Sequence, residues 1–119
     1  MKVMIVDHSA AERRMIKGLI DDLVTEFVEC DDCAEALASY GTHCPDLILM
    51  DFDMEHMNGF QATSEVKAVF PAAKIIILSP SDSRELRAGA KQSGAAGCVN
   101  KVSSLSVRDL IRFGPAIWG

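Results

Sequence analysis

The stretch DLILMD, residues 46–51, decides the fold class of this chain, because four consecutive apolar residues lie between two acids. A strand with one solvated face would alternate apolar and polar residues, whereas a continuous apolar run is typical of a strand buried on both faces. The segments VMIV at 3–6 and KIIILS at 74–79 have the same character. Strands of this kind belong to sheets with helices packed on each side.

Helical segments separate these apolar runs. Ser9, with Glu12 three residues later, has the form of a capping box, and apolar residues follow at helical spacing. Asp32 begins a second helix that we expect to end at Gly41, and Asn58 can cap a third. The remaining predicted elements are short strands at 26–30 and 97–100 and helices over 82–92 and 104–113.

The resulting order βαβαβαβαβα predicts an α/β protein. Right-handed crossovers make a flavodoxin-like (βα)5 three-layer sandwich the simplest topology, with a five-stranded parallel sheet in the order 2-1-3-4-5. The length of 119 residues fits one domain, 1–119, in which residues 114–119 form a tail or the start of a linker.

Composition excludes several classes of function. A net charge of −5 argues against direct nucleic-acid binding by this domain. No apolar run is long enough to span a membrane, and the N-terminus MKVMIVD reaches a charged residue too soon for a signal peptide. We therefore expect a cytoplasmic protein with no membrane contact.

The cysteines raise the question of a zinc site. Cys30 and Cys33 form a C-x-x-C pair, and His43 and Cys44 follow ten residues later. A zinc site needs all four ligands around one point, but the predicted helix between the pairs places them at opposite ends. We expect reduced, partly buried thiols instead.

The candidate site lies where the predicted strands end, since ligands of such sheets bind outside the carboxyl ends of the strands. The residues there are Asp7, His8, Asp51, Asp53, Ser79 and Lys101. Singly, such a residue is usually a helix cap or a solvated loop residue; together at one edge they indicate a site. Carboxylates can hold a divalent cation or attack phosphorus, while a lysine and a hydroxyl can bind phosphoryl oxygens.

These motifs resemble the receiver, or phospho-acceptor, domain of two-component response regulators, in order and spacing over nearly the whole chain. The matching segments are Val6-Asp7, 47–54, Asn58-Gly59, 76–79 and 99–101. The resemblance implies that Asp51 forms the aspartyl phosphate, assisted by Ser79 and Lys101. It also implies that Mg²⁺ is held by Asp7, Asp51 and the backbone carbonyl of Asp53.

The same resemblance implies the partners of a phosphorelay. A sensor histidine kinase or a phosphotransfer protein would supply the phosphoryl group, and a downstream effector protein or domain would receive the signal. The domain would be a monomer or a weak homodimer. It would be a signalling module and not an enzyme, with at most slow self-phosphorylation and self-dephosphorylation.

Five residues depart from the family pattern. Glu55 stands where proline is usual, and Pro80 stiffens the loop after Ser79; the other three bear on metal binding and on switching. His8 replaces the second acid of the usual acidic pair, and because Mg²⁺ prefers oxygen ligands, His8 predicts weaker Mg²⁺ binding and a preference for Mn²⁺. Val102 stands where proline is usual, and Cys98 occupies the place of the aromatic switch residue. A swinging ring therefore cannot report phosphorylation.

Two alternatives follow from these departures and from the acidic motif. The first is a pseudo-receiver, an interaction module whose partner binding is independent of phosphate. The second is a small phosphohydrolase, because Asp51 and Asp53 form a D-x-D motif like that of haloacid-dehalogenase-type enzymes. That motif lies on the first strand in those enzymes and on the predicted third strand here.

Overall fold

The computed structural model describes residues 1–54, 57–81, 83–100 and 104–112, apart from the side chains of 104–106. Lys101, Val102 and the predicted tail at 114–119 lie outside the described residues. The predictions made for them from the sequence therefore stay predictions.

Strands and helices alternate along the chain as the sequence predicts. The elements are β1 Lys2–Val6, α1 Ala10–Ile20, β2 Glu26–Cys30, α2 Cys33–His43, β3 Leu47–Asp51, α3 Gly59–Val69, β4 Ile75–Ser79, α4 Arg84–Ser93, β5 Gly97–Asn100 and α5 Ser104–Arg112. A short 3-10 turn, Asp21–Leu23, follows α1. All strand pairs are parallel and the sheet order is β2-β1-β3-β4-β5, which confirms the predicted topology.

The central strands are apolar throughout because helices cover both faces of the sheet. Alternate residues point to opposite sides, so Ile48 and Met50 pack toward α2, α3 and α4. Leu47 and Leu49 pack toward α1 and α5. Full burial of one such side chain contributes about 1.5–3 kcal/mol to the free energy of folding. This packing keeps the ends of the strands in fixed positions.

The N-terminus of α1 is fastened to the end of β1. Ser9 Oγ accepts a hydrogen bond from the Glu12 backbone N–H at 3.2 Å, as predicted. In a complete capping box the Glu12 side chain would accept a hydrogen bond from the Ser9 N–H. Here the Ser9 N–H donates instead to Asp7 Oδ1 at 2.9 Å. By contrast, the capping box of Asn58 and Gln61 at α3 is complete.

The predicted end of α2 at Gly41 is wrong, because the helix continues to His43. The chain leaves the helix at Cys44, which adopts a left-handed conformation with φ 46°. Lys2 Nζ donates to the His43 carbonyl at 2.8 Å and so satisfies one of the last carbonyl groups. Gly41 lies inside the helix, where a Cβ would make only an ordinary contact of 3.7 Å with the Phe70 ring.

Gly59 brings α3 against the end of β3. A Cβ at this position would lie 2.9 Å from the Asp51 carbonyl oxygen, closer than real contacts allow. The Gly59 N–H donates to the Phe52 carbonyl at 2.8 Å. The backbone that carries Asp51 is thus held directly by the first turn of α3.

Candidate functional site

Asp7, His8 and Asp51 meet at the carboxyl edge of the sheet. Val6 of β1 is in register with Met50 of β3, so the residues that follow each of them are neighbours. The His8 Nδ1 atom lies 3.9 Å from Asp7 Oδ1 and 3.8 Å from Asp51 Oδ2. One ligand atom from each of the three residues lies within 4.8 Å of the others, as the sequence predicted for a metal-binding edge.

The three side chains differ in their exposure to solvent. Asp7 and Asp51 are each 1% exposed, whereas the His8 side chain is 51% exposed. The two carboxylates therefore form the floor of the site and the imidazole forms its solvent side. Such a floor favours a bound cation, because ionised carboxylates are costly to bury without one.

The environment of Asp7 opposes its ionisation. Burial, the adjacent Glu12 carboxyl and the charge of Asp51 raise the pKa of the Asp7 carboxyl from 3.8 to about 7, against the opposing effect of the Ser9 N–H. A divalent cation next to both carboxylates would reverse this balance.

The donor set fits a divalent cation. Asp7 Oδ2 is buried and accepts no hydrogen bond from the described residues, so it has an acceptor position available. The three ligand atoms lie within 4.8 Å of one another, and Mg²⁺ binds oxygen at about 2.1 Å, so small side-chain movements would bring all three into contact with one cation.

Ser79 and Asp53 lie at the same edge but face other partners. Asp51 is in register with Leu78, which places Ser79 one residue beyond it on β4. The buried Ser79 hydroxyl donates to the Ser81 carbonyl at 2.6 Å. Asp53 is exposed and forms an isolated antiparallel bridge with Asn58.

This arrangement of acids on a five-stranded parallel sheet has known counterparts. The family model of the response regulator receiver domain matches residues 3–111. The chain belongs to this family. It is a CheY-like receiver domain of two-component signalling, and receiver domains bind Mg²⁺ at an acidic pocket of this kind.

Relatives of known sequence and structure support the assignment. The chemotaxis protein CheY of Bacillus subtilis is 35% identical over 101 residues, which cover 84% of each chain. Its namesake from Thermotoga maritima is 34% identical with the same coverage. The NarL receiver domain of Mycobacterium tuberculosis has a TM-score of 0.84 at 25% identity, covering 97% of this chain and 95% of that chain. CheY4 of Vibrio cholerae has a TM-score of 0.83 at 27% identity, covering 98% and 97%.

The receiver domain also has a cavity beside the acidic site that sequence reasoning missed. Its volume is about 460 Å³, and it is lined by His8, Asp31, Asp32, Cys33, Ala34, Met54 and Met57. These residues come from the loops after β1, β2 and β3 and from the first turn of α2, so no local spacing in the sequence indicates the cavity.

None of the helices in the described parts of the receiver domain has the length and apolar character needed to cross a bilayer.

The cysteines of the receiver domain do not form a second metal site. Cys30 and Cys33 are buried beside the first turn of α2, while His43 and Cys44 lie at its far end. Burial raises the pKa of the Cys30 thiol, and burial together with the charge of Glu65 raises that of Cys33 to about 11. Both thiols are therefore poor metal ligands and poor nucleophiles at neutral pH.

Replacing Asp7 by asparagine is expected to stabilise the metal-free domain in a pH-dependent way. The folded pKa of about 7 exceeds the unfolded value of 3.8, so Asp7 stabilises the fold only while protonated, and this contribution is lost as the pH rises toward 7. Asp7→Asn should gain roughly 2–4 kcal/mol at about pH 8 and less than half of that at about pH 5. Urea unfolding in EDTA at both pH values measures the gain; equal gains would contradict the burial cost assigned to Asp7.

Proposed function

We propose that this receiver domain accepts a phosphoryl group on Asp51 from a sensor histidine kinase or a phosphotransfer protein. The observation that supports the proposal is the buried Asp51 carboxylate, which lies at a strand end beside a group fit for a divalent cation. A carboxylate oxygen would attack the phosphorus atom as the phosphorus–nitrogen bond to the protonated imidazole ring of the donor breaks, leaving an aspartyl phosphate on the domain and a neutral imidazole on the donor. The modified domain would then bind a downstream effector protein or domain with altered affinity.

Each residue of the proposed site has a distinct task. Asp7, Asp51 and the backbone carbonyl of Asp53 would hold Mg²⁺, which when bound neutralises charge on the transferring oxygens. Lys101 would bind another phosphoryl oxygen as a point charge. The Ser79 hydroxyl would exchange its bond to the Ser81 carbonyl for one to the phosphoryl group, which would couple Asp51 to the loop after β4.

His8 gives this site a metal preference of its own. Its imidazole nitrogen lies within 4 Å of both buried carboxylates, the place where a third ligand would contact the same cation. Neutral imidazole binds Mn²⁺ more readily than Mg²⁺. We therefore propose that Mn²⁺ is the preferred cation in this domain.

The pseudo-receiver alternative gains no support from the family match or from the relatives. The Cys98 side chain packs against the core on β5, at the position where the resemblance implies an aromatic switch residue. An effector could then bind without any phosphorylation-dependent ring movement. Asp53 does not favour the phosphohydrolase alternative, since it is exposed and bridged to Asn58.

We place the domain in the cytoplasm, where its free cysteines stay reduced.

Incubation with phosphoramidate, followed by intact-mass measurement, tests the proposed function. We expect one base-labile phosphoryl group with Mg²⁺, faster uptake with Mn²⁺, and none in EDTA. A pseudo-receiver would take up none under any of these conditions. Sustained turnover of a generic phosphomonoester would instead support the phosphohydrolase.

A further inference from the structure

Arg13 links the loop that carries Asp7 and His8 to the end of β2. Its guanidinium Nη1 donates both to the backbone carbonyl of Asp7 and to Asp31 Oδ1, the latter at 2.7 Å. Its Nε donates to Glu29 Oε1 at 3.0 Å. The Arg13 side chain is 13% exposed, whereas the side chains of its acidic partners Glu29 and Asp31 are 37% and 65% exposed.

The backbone of Asp7 is held from two directions as a result. Its N–H donates to the Cys30 carbonyl at 3.0 Å, and its carbonyl accepts from Arg13. Its carboxylate Oδ1 accepts from the Ser9 N–H, which leaves Oδ2 as the atom available to a cation. The Arg13 contact thus fixes the peptide between Asp7 and His8, and with it the direction of both side chains.

We propose that Arg13 is a positioning residue for the metal site, holding Asp7 and His8 in the arrangement that binds a divalent cation. The inference rests on the proposed function in so far as that function uses the metal. Only the planar fork of an arginine can reach the Asp7 carbonyl, Asp31 and Glu29 together; a lysine has a single nitrogen for the same partners.

Positioning and simple electrostatics make opposite predictions for Arg13. Removing a positive charge near a cation site should tighten cation binding if only Coulomb forces act. Loss of an outer contact that orients metal ligands instead weakens binding, by about 10- to 100-fold in known metal sites. The sign of the change therefore identifies the role of this residue.

Calorimetric titration with Mn²⁺ and Mg²⁺, with no phosphodonor present, tests the proposal. We expect Arg13→Met to bind Mn²⁺ about tenfold more weakly than the wild type. Arg13→Lys keeps the charge and loses the fork, so it should also bind more weakly. The matched control is Arg14→Met, which removes the same charge from an exposed neighbour on α1 and should change affinity less than about twofold. Circular dichroism melts establish that each variant is folded during titration.

The outcomes separate this inference from the proposed function. Wild-type or tighter metal binding by folded Arg13→Met, or wild-type binding by Arg13→Lys if the methionine variant unfolds, would show that Arg13 has no positioning role. An equal loss in Arg14→Met would overturn the proposal as well. Because no phosphoryl group is involved, failure of phosphoramidate to modify Asp51 would refute the proposed function and leave this test intact.

Discussion

Asp51→Asn is expected to reduce phosphoryl uptake from phosphoramidate to background, the largest effect of any single substitution in this domain. The asparagine amide has the shape of the carboxylate, but it lacks a negatively charged oxygen that could attack phosphorus, so it cannot form an acyl phosphate. Because Asp51 is 1% exposed and adjoins Asp7, the substitution also removes a buried negative charge. The variant should therefore be at least as stable as the wild type, and loss of uptake will not reflect unfolding.

Asp53→Asn provides the matched control. It makes the same chemical change two residues further along, at an exposed side chain whose backbone carbonyl is the proposed ligand. Uptake should remain within a few-fold of the wild type. Intact mass and peptide mapping after brief incubation measure both variants. Uptake by Asp51→Asn at the wild-type rate would disprove the assignment of the acceptor, and loss in both variants would indicate a role for the Asp53 carboxylate itself.

The sequence predicts the part of this site that depends on strand order. Apolar runs that end in Asp7 and Asp51 imply parallel strands, and parallel strands bring their carboxyl ends to one edge. The structure confirms that these two acids and His8 lie together. Strand register and burial are enough for this result, since no side-chain conformation has to be known.

Individual side-chain contacts could not be predicted in the same way. Arg13 lies 18 residues from Asp31 along the chain, and no periodicity relates the two. The Ser79 hydroxyl donates to the Ser81 carbonyl and not to the carboxylates of Asp7 or Asp51, and this contact depends on the local turn after β4. The end of α2 also involves a distant residue: the helix extends to His43, beyond the predicted end at Gly41, and Lys2 donates to the His43 carbonyl from 41 residues away.

His8→Asp is expected to raise Mg²⁺ affinity by about tenfold or more, since it supplies a third charged oxygen ligand in place of a neutral nitrogen. A unit charge about 4 Å from another interacts by about 4 kcal/mol near a protein surface. The same charge repels Asp7 and Asp51, whose oxygens lie 3.9 and 3.8 Å from the present His8 nitrogen. The metal-free variant should therefore melt lower than the wild type and regain more stability when Mg²⁺ is added.

Two further variants separate the causes of that change. His8→Asn offers a neutral oxygen, so the part of the gain that it reproduces is due to ligand type and the rest to charge. His43→Asp changes the net charge as His8→Asp does, but at the far end of α2, and should leave Mg²⁺ affinity unchanged. The preference for Mn²⁺ over Mg²⁺ should fall in both His8 variants, because each lacks the imidazole nitrogen.

Calorimetric titration of all four proteins with each metal decides whether His8 is a ligand. In the wild type we expect tighter binding of Mn²⁺ than of Mg²⁺, and in His8→Asp the difference between the two metals should be small. If the wild type already binds Mg²⁺ as tightly as His8→Asp, then His8 is not a ligand, and another oxygen, from Asp53 or Glu55, completes the coordination of the cation.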